Sequence, residues 1–451
     1  MLKRTSRIGI ILFALILVTS LIVFSGCDRG PNLRGAVITI GSWHGDYDVD
    51  TYVPRNEDEE IMLEWRRRIM NEHGFRMSQV ELSGWDDYFP VVTTNILGGN
   101  KDISMYWLSA EWAMTLYKQN LLYPISESSV DLTNRDLKPL ERATYNKMME
   151  DLFTFNGRQY AFALGQGGDS WQGNFVFWNK RLLREAGYDP DHIYNLQRDN
   201  LWTWDALLEI LRRTTRDINN DGIIDIFGMP CDDAREVMNA FVYGNNANFV
   251  TIDANGKFHN ATTRPEFIEA MQFYLRLMEE GVMKPRPQNA AWDWDFTEFI
   301  DGRVAILIAP EWRKGQMPDA MTDDYGCALP PMGPRASSYR MSLTENVCVI
   351  PAIFSRQEVD IILAAQDLWH TGASDDWKQG HYWAFRDRRA VDETVAMTKD
   401  PRFVTYRNFA LVPGFPHGDI VWDLWEFKGN PAQVVEQIAP RINALLDELN
   451  N

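Results

Sequence analysis

The sequence predicts an α/β protein of two lobes, each built on a doubly wound sheet. Short β-branched runs alternate with helical patterns from residue 37 onward, and the alternation starts again after the glycine-rich segment 165–168. The length of 451 residues also suits two or more folded units better than one. Strands that alternate with helices favour parallel sheets with helices on both faces.

The first lobe is predicted from the order strand, helix, strand, helix, strand. Apolar residues spaced three and four apart identify the helices, which end near Gly74 and at Gly98-Gly99. The predicted elements are strands 37–40, 80–82 and 103–107 and helices 61–73 and 86–97.

Further strands and helices follow the glycine-rich segment and predict the second lobe. Pro265 stands at the start of one helical pattern, where proline is common. The predicted elements are strands 175–178, 304–309 and 347–350 and helices 182–187, 204–211, 265–278, 359–369 and 431–449.

Tryptophans mark the carboxyl ends of the first three predicted strands. Trp43 follows the first strand, Trp85 follows the second, and Trp107 ends the third. Ligands of doubly wound sheets bind outside the carboxyl ends of the strands. The sequence therefore predicts that these three indoles converge on one rim.

The N-terminus has the order of a secretory signal. Basic residues precede an apolar run over residues 8–24, and Phe24-Ser25-Gly26-Cys27 resembles a bacterial lipobox in which phenylalanine replaces the usual leucine. We expect residues 1–27 to be a lipoprotein signal peptide and residues 28–34 a tether. The protein would then be exported and held by lipid on Cys27 to the extracytoplasmic face of a bacterial membrane. An uncleaved membrane anchor is the alternative.

Charge and cysteine content exclude other classes of protein. The formal net charge of −18 argues against nucleic acid as a partner. Beyond Cys27, the cysteines Cys231, Cys327 and Cys348 are too widely spaced for a disulfide scaffold or a zinc knuckle. We expect three buried apolar thiols, with a pairing of Cys327 and Cys348 as the alternative.

Several short segments, each weak alone, occur in an order and spacing typical of one family. They are Gly-Gly-Asn-Lys-Asp-Ile at 98–103, Phe-Trp-Asn-Lys at 177–180, Glu-Ala-Gly-Tyr-Asp at 185–189, Trp-Thr-Trp-Asp at 202–205, Asn-Gly-Lys-Phe at 255–258, the helix 267–281, Phe-Ile-Asp-Gly-Arg-Val-Ala at 299–305 and the stretch 346–351. The chain resembles the family 1 extracellular solute-binding proteins of ABC importers, of the carbohydrate type to which maltose-binding protein belongs.

The resemblance implies a periplasmic-binding-protein-like fold of type II, whose two lobes close about a hinge and trap a ligand. The chain would cross between lobes near residues 165–171, near Gly302 and near residues 345–346. The N-terminal lobe would then hold residues 35–168 with 303–345, and the C-terminal lobe residues 169–302 with 346–451. An ABC permease would be the protein partner, with neither an enzymatic activity nor a required cofactor.

The choice of ligand class depends on the tryptophans, of which the sequence has 17. A sugar ring presents weakly positive CH groups to the negative face of an indole, and its hydroxyl groups need carboxylate or amide partners. For each tryptophan, burial in the core is the alternative. The candidate ligand-binding residues are Trp43, Trp85, Asp86, Trp107, Trp171, Glu311, Trp312, Glu345 and Asn346.

One loop resembles an EF-hand and could hold a structural calcium ion. Asp217, Asn219, Asp221 and Asp225 place oxygens at positions 1, 3, 5 and 9, and a glycine stands at position 6. Gly228 occupies position 12, where a bidentate glutamate belongs. A surface turn without an ion is the alternative.

The sequence is also compatible with functions other than sugar capture. A surface glycoside hydrolase would also place acids beside aromatic walls, although no GxSxG or HExxH motif supports an enzyme. A cationic solute is the other candidate ligand, because the negative charge argues only against anions. Docking to a chemotaxis receptor would use the same closed lobes.

If Cys27 carries lipid, the protein should enter the detergent phase in phase separation and should incorporate labelled fatty acid. The substitution Cys27→Ala should abolish the labelling, because the acylated thiol is lost. Equal labelling of both proteins would contradict the predicted anchor.

Overall fold

The computed structural model describes residues 31–130, 145–164, 173–231, 234–370, 378–427 and 429–451. Cys27 and Trp171 lie outside these residues. In chain order, the strands are β1 Val37–Ser42, β2 Arg76–Glu81, β3 Met105–Ser109, β4 Thr154–Phe155, β5 Arg158–Gln159, β6 Ala161–Phe162, β7 Asn174–Asn179, β8 Met229–Cys231, β9 Val250–Ile252, β10 Phe258–Asn260, β11 Met283–Pro285, β12 Ile306–Pro310, β13 Tyr325–Ala328, β14 Met341–Leu343, β15 Asn346–Val349 and β16 Val404–Tyr406.

The seven helices predicted from apolar spacing are present, and they begin and end within a few residues of the predicted bounds, whereas eight further described helices were not predicted. In chain order, the helices are α1 Glu57–His73, α2 Trp85–Leu97, α3 Ala110–Lys118, α4 Lys147–Leu152, α5 Lys180–Glu185, α6 His192–Arg198, α7 Trp204–Thr214, α8 Ala234–Gly244, α9 Pro265–Glu279, α10 Trp294–Ile300, α11 Met317–Ala320, α12 Arg356–His370, α13 Lys378–Phe385, α14 His417–Phe427 and α15 Pro431–Asn450.

Local signals explain where helix α1 begins and ends. The Asn56 side chain accepts a hydrogen bond from the backbone N–H of Glu59 at 3.0 Å, which satisfies one of the free amide groups of the first turn. Acidic residues fill that turn, where they complement the helix dipole. Gly74 ends the helix with φ +73°, a conformation that other residues rarely adopt.

The first lobe is built on a five-stranded sheet in the order β2-β1-β3-β15-β6. Strands β1, β2 and β3 are parallel, as predicted. Strand β15 runs antiparallel to both β3 and β6, so the sheet is mixed rather than wholly parallel. Buried residues of α1 and α12 cover one face, and those of α2 and α3 cover the other.

The second lobe is centred on strand β7, which lies antiparallel to β12 and to β13. Phe227, just before β8, forms a parallel bridge with Val304, just before β12. Strands β8 and β12 therefore run in the same direction. Strand β14 pairs with β16 in parallel. Helices α8, α9, α14 and α15 pack against one another beside these strands.

The strand pairing corrects the predicted division into lobes. Segment 303–345 was assigned to the N-terminal lobe, but β12 and β13 pair with β7 of the second lobe. Segment 346–451 was assigned to the C-terminal lobe, but β15 belongs to the first sheet and α12 packs on α1. The chain therefore does not cross near Gly302. It crosses between β6 and β7, between β14 and β15, and between α12 and α13.

Within the described ranges, Cys231, Cys327 and Cys348 are buried thiols that form no disulfide bond. Cys327 lies in β13 of the second lobe and Cys348 lies in β15 of the first, so the alternative pairing of these two residues is not formed. No helix in the described ranges has both the length and the apolar character needed to cross a membrane.

Gly326 lets β13 lie against the fully buried indole of Trp178. A Cβ atom at this position would stand 2.0 Å from Trp178 Cζ2. We expect Gly326→Ala to lower the free energy of unfolding by about 3 kcal/mol in a denaturant melt, because the core cannot accept the methyl group. Gly315→Ala is the control, since its Cβ would meet nothing within 4 Å. Equal stability of the two variants would contradict this packing.

Candidate functional site

Three tryptophans stand together at the carboxyl ends of the first-lobe strands. Trp43 follows β1, Trp85 opens α2 and Trp112 lies in the first turn of α3. The ring centroids of Trp85 and Trp112 are 4.3 Å apart, and those of Trp43 and Trp85 are 5.0 Å apart with the rings nearly perpendicular. We call these three residues the tryptophan cluster.

Another aromatic residue, Tyr88, packs against the tryptophan cluster. Tyr88 lies 5.4 Å from Trp43 and donates a hydrogen bond to the carbonyl oxygen of Gly41 at 2.7 Å. Trp43 and Trp112 are partly buried, whereas Trp85 is 48% exposed. The cluster therefore offers mainly the ring of Trp85 to a ligand, with the other two indoles holding it in place.

The predicted convergence of Trp43, Trp85 and Trp107 is wrong for Trp107. Its neighbours Tyr106 and Leu108 belong to the same core as the tryptophan cluster, whereas Trp107 packs with the core on the opposite face of the sheet. Side chains alternate between faces along a strand, so position 107 cannot share the rim. Trp112 takes its place, and it could have been found by extending the search one helical turn past β3.

The carboxyl end of β12 carries Glu311 and Trp312 in the second lobe. The Glu311 amide donates to the carbonyl oxygen of Gly173 at 2.8 Å, which ties this turn to the start of β7. The Glu311 side chain is 5% exposed and pairs with Lys314, whose Nζ lies 3.0 Å from His381 Nδ1. The predicted ligand acceptor is thus already engaged by a cation of its own lobe.

Trp312 is partly buried beside the guanidinium group of Arg313. The Arg313 Cζ atom lies 4.3 Å from the ring centroid of Trp312 and 4.7 Å from that of Trp292. The two indoles stack at a centroid distance of 6.3 Å, and Trp292 is 69% exposed. This arrangement forms a second aromatic surface at a strand end.

A buried polar cluster that the sequence did not reveal lies at the same edge. It consists of Asn174, Glu236, Ser342 and Arg407, which we call the Arg407 network. Arg407 donates to Glu236 Oε1 at 3.2 Å and to Oε2 at 2.9 Å, and its Nε donates to Ser342 Oγ at 3.2 Å. Arg407 also donates to Asn174 Oδ1. The residues come from β7, α8, β14 and the end of β16, so the network joins four segments.

His417 lies near the Arg407 network at the start of α14. Its Nε2 is 3.0 Å from Asn239 Oδ1. Burial, and next the guanidinium groups of Arg407 and Arg235, hold the pKa of His417 well below its usual value. The imidazole is therefore neutral near pH 7 and adds no charge to this edge.

Glu345 and Asn346 lie where the chain passes from one lobe to the other. Strand β14 ends at Leu343 in the second lobe, and β15 begins at Asn346 in the first. The Asn346 amide donates to Glu345 Oε1 at 2.8 Å, and the Glu345 residue is buried. Asp86 is exposed in the first turn of α2, beside Trp85.

Direct contacts join the lobes on two sides of this region. The Gly414 amide of the second lobe donates to Glu111 Oε1 of α3 at 2.9 Å. The Arg55 guanidinium group, which is also bound by Glu59, lies 5.5 Å from the ring centroid of Trp383 in α13. The two lobes are therefore in direct contact at both of these points.

The acidic loop after α7 is held by its own backbone. Asp217 accepts hydrogen bonds from the amides of Asp221 and Gly222, and Asp225 accepts one from Ile218 at 2.7 Å. Over the described residues, no group of three or more His, Cys, Asp or Glu side chains is arranged to hold a metal ion. A calcium ion at Asp217, Asn219, Asp221 and Asp225 stays a prediction.

Two α/β lobes joined by several crossings of one chain are the architecture of a hinged binding protein. A model of the bacterial extracellular solute-binding protein family matches residues 64–356. The chain belongs to that family. A comparison with curated protein sequences gives no match.

Solved structures of other solute-binding proteins share this fold. The UgpB protein of Mycobacterium tuberculosis, in complex with glycerophosphocholine, gives a TM-score of 0.64 at 16% identity over 92% of this chain and 99% of that chain. The cyclic alpha-maltosyl-1,6-maltose binding protein of Arthrobacter globiformis gives 0.63 at 14% identity, with the same coverage. The maltodextrin-binding domain of Bdellovibrio bacteriovorus, bound to maltotriose, gives 0.59 at 14% identity, again over 92% and 99%.

Calcium at the acidic loop would be seen in thermal melts. If the ion binds, EDTA should lower the melting temperature and added calcium should restore it, because the ligand stabilises only the folded state. Asp221→Asn should weaken the response to calcium. Identical melts with EDTA and with calcium would leave only a surface turn.

Proposed function

We propose that this protein captures a sugar or an oligosaccharide between its lobes and delivers it to an ABC permease. The observation that carries the proposal is the exposed indole of Trp85, which Trp43 and Trp112 hold at the carboxyl ends of the first-lobe strands. A rigid, exposed indole suits the apolar face of a sugar ring. Lipid on Cys27 would keep the protein near the membrane that holds the permease.

The charges of the cleft favour a neutral ligand over a cationic one. Glu311 is paired with Lys314, and Glu236 is paired with Arg407. A carboxylate whose charge is already balanced attracts a cation weakly, but it can still accept hydrogen bonds from hydroxyl groups. Glu311 and Glu236 therefore add little net negative charge to the cleft, although the formal charge of the whole chain is strongly negative.

The tryptophan cluster is also too tightly packed to enclose a quaternary ammonium group. Such groups bind between aromatic faces, yet the rings of Trp85 and Trp112 touch each other at 4.3 Å. Their packing supports a platform rather than a cage. This distinction matters because one relative of the same fold was solved with glycerophosphocholine and two others are described as binders of maltose-derived sugars.

Hydrolysis of the sugar is the alternative, and the placement of the carboxylates favours capture. A glycoside hydrolase needs two carboxyl groups that flank the bond to be broken. Glu236 and Glu311 both belong to the second lobe, and each is engaged by a cation of that lobe. The proposed role therefore ends with binding and release.

Calorimetric titration with maltose, maltotriose, trehalose and glycerophosphocholine would test the proposal. We expect a sugar to bind, and Trp85→Ala to weaken it by about 30-fold or more, which is roughly 2 kcal/mol for a lost aromatic anchor. Trp312→Ala should also weaken binding, with little change in the denaturant melt.

Trp422→Ala is the matched control, because Trp422 is 42% exposed and lies on α14, a helix that packs against α8, α9 and α15. Affinity should survive that change. Tight binding of glycerophosphocholine alone would contradict the sugar assignment, and consumption of the sugar during the titration would favour the hydrolase.

A further inference from the structure

Glu236 lies in the first turn of α8, at the cleft edge of the second lobe. The helix follows β8, which runs parallel to β12 through the bridge between Phe227 and Val304. The carboxyl ends of parallel strands meet at the same edge of a sheet. Glu236 therefore shares that edge with Trp312, which follows β12.

The carboxylate of Glu236 is held from its buried side. Arg407 donates to both carboxylate oxygens, at 3.2 and 2.9 Å, and Asn174 donates to one of them. The Arg407 side chain is 4% exposed, whereas that of Glu236 is 25% exposed. Each carboxylate oxygen can accept two hydrogen bonds, so Oε2 is filled by Arg407 and Asn174, and one acceptor position is left on Oε1.

The neighbours of Glu236 place it beside both the hinge and the first lobe. Asn174 is the first residue of β7, directly after one crossing, and Ser342 lies in β14, just before another. The stretch that follows Arg407 reaches the first lobe, where the Gly414 amide donates to Glu111. A ligand held between the lobes would lie within reach of this carboxylate.

We propose that Glu236 Oε1 accepts a hydrogen bond from a hydroxyl group of the bound ligand and that Arg407 is the positioning residue that fixes the orientation of the carboxylate. This inference rests on the proposed capture of a sugar. A planar guanidinium fork sets the direction of both carboxylate oxygens before the ligand arrives. Little side-chain freedom is then lost on binding.

The test is calorimetric titration of Glu236→Gln with whichever of maltose, maltotriose and trehalose binds the unaltered protein most tightly. The amide keeps the shape of the side chain but removes the charge and one acceptor. We expect an affinity about 10- to 100-fold lower, the usual effect of losing a hydrogen bond to a charged group.

Glu269→Gln is the matched control for this loss. Glu269 also accepts from an arginine, Arg335, and from an asparagine, Asn245, and its side chain is 29% exposed. It lies on α9, away from the crossings, so affinity should be unchanged. An equal loss in both variants would overturn the assignment, because it would reflect broken ion pairs in general.

Arg407→Lys tests the positioning role, with a thermal melt to confirm that the variant is folded. Lysine keeps the positive charge but lacks the planar guanidinium fork. The single substitution should therefore weaken binding. It should have little further effect on affinity when combined with Glu236→Gln. Additive losses would overturn the coupling. If the unaltered protein binds none of the three sugars, the proposed function fails together with this inference. If it binds one and Glu236→Gln binds equally well, only this inference fails.

Discussion

The architecture of the cleft depends on one short connection in which consecutive strands enter different sheets. Strand β14 pairs with β16 in the second lobe, and β15 pairs with β3 and β6 in the first, with Thr344 and Glu345 between them. Because the chain is continuous here, the edges of the two sheets cannot lie far apart. This crossing therefore limits the distance between the tryptophan cluster in the first lobe and the second-lobe residues Trp312 and the Arg407 network.

The buried positive charge of Arg407 is balanced by its neighbours, so this part of the cleft is polar without leaving that charge unpaired. Arg407 is almost fully buried, and an isolated guanidinium group in such a place would be very costly. Glu236, Asn174 and Ser342 together supply acceptors to its donors. Removal of one partner would leave the others unsatisfied, so the network holds its four segments in a single arrangement.

Local patterns in the sequence predicted seven of the fifteen described helices and six of the sixteen described strands, because apolar spacing and helix stops act over a few residues. The same patterns could not assign strands to lobes. Strands β12 and β15 are both short apolar runs, and the pairing partner that distinguishes them lies far away in the chain. The Arg407 network was missed for the same reason, since Glu236 and Arg407 are 171 residues apart.

Contact between two indole rings also has a spectroscopic consequence. The electronic transitions of Trp85 and Trp112 couple at a centroid distance of 4.3 Å, and coupled chromophores give a pair of circular dichroism bands of opposite sign. The size and sign of that pair depend on the angle between the rings, which is 36° here. A molecule that settled on Trp85 and turned it even slightly would alter the bands, so they would report whether the proposed ligand site is occupied.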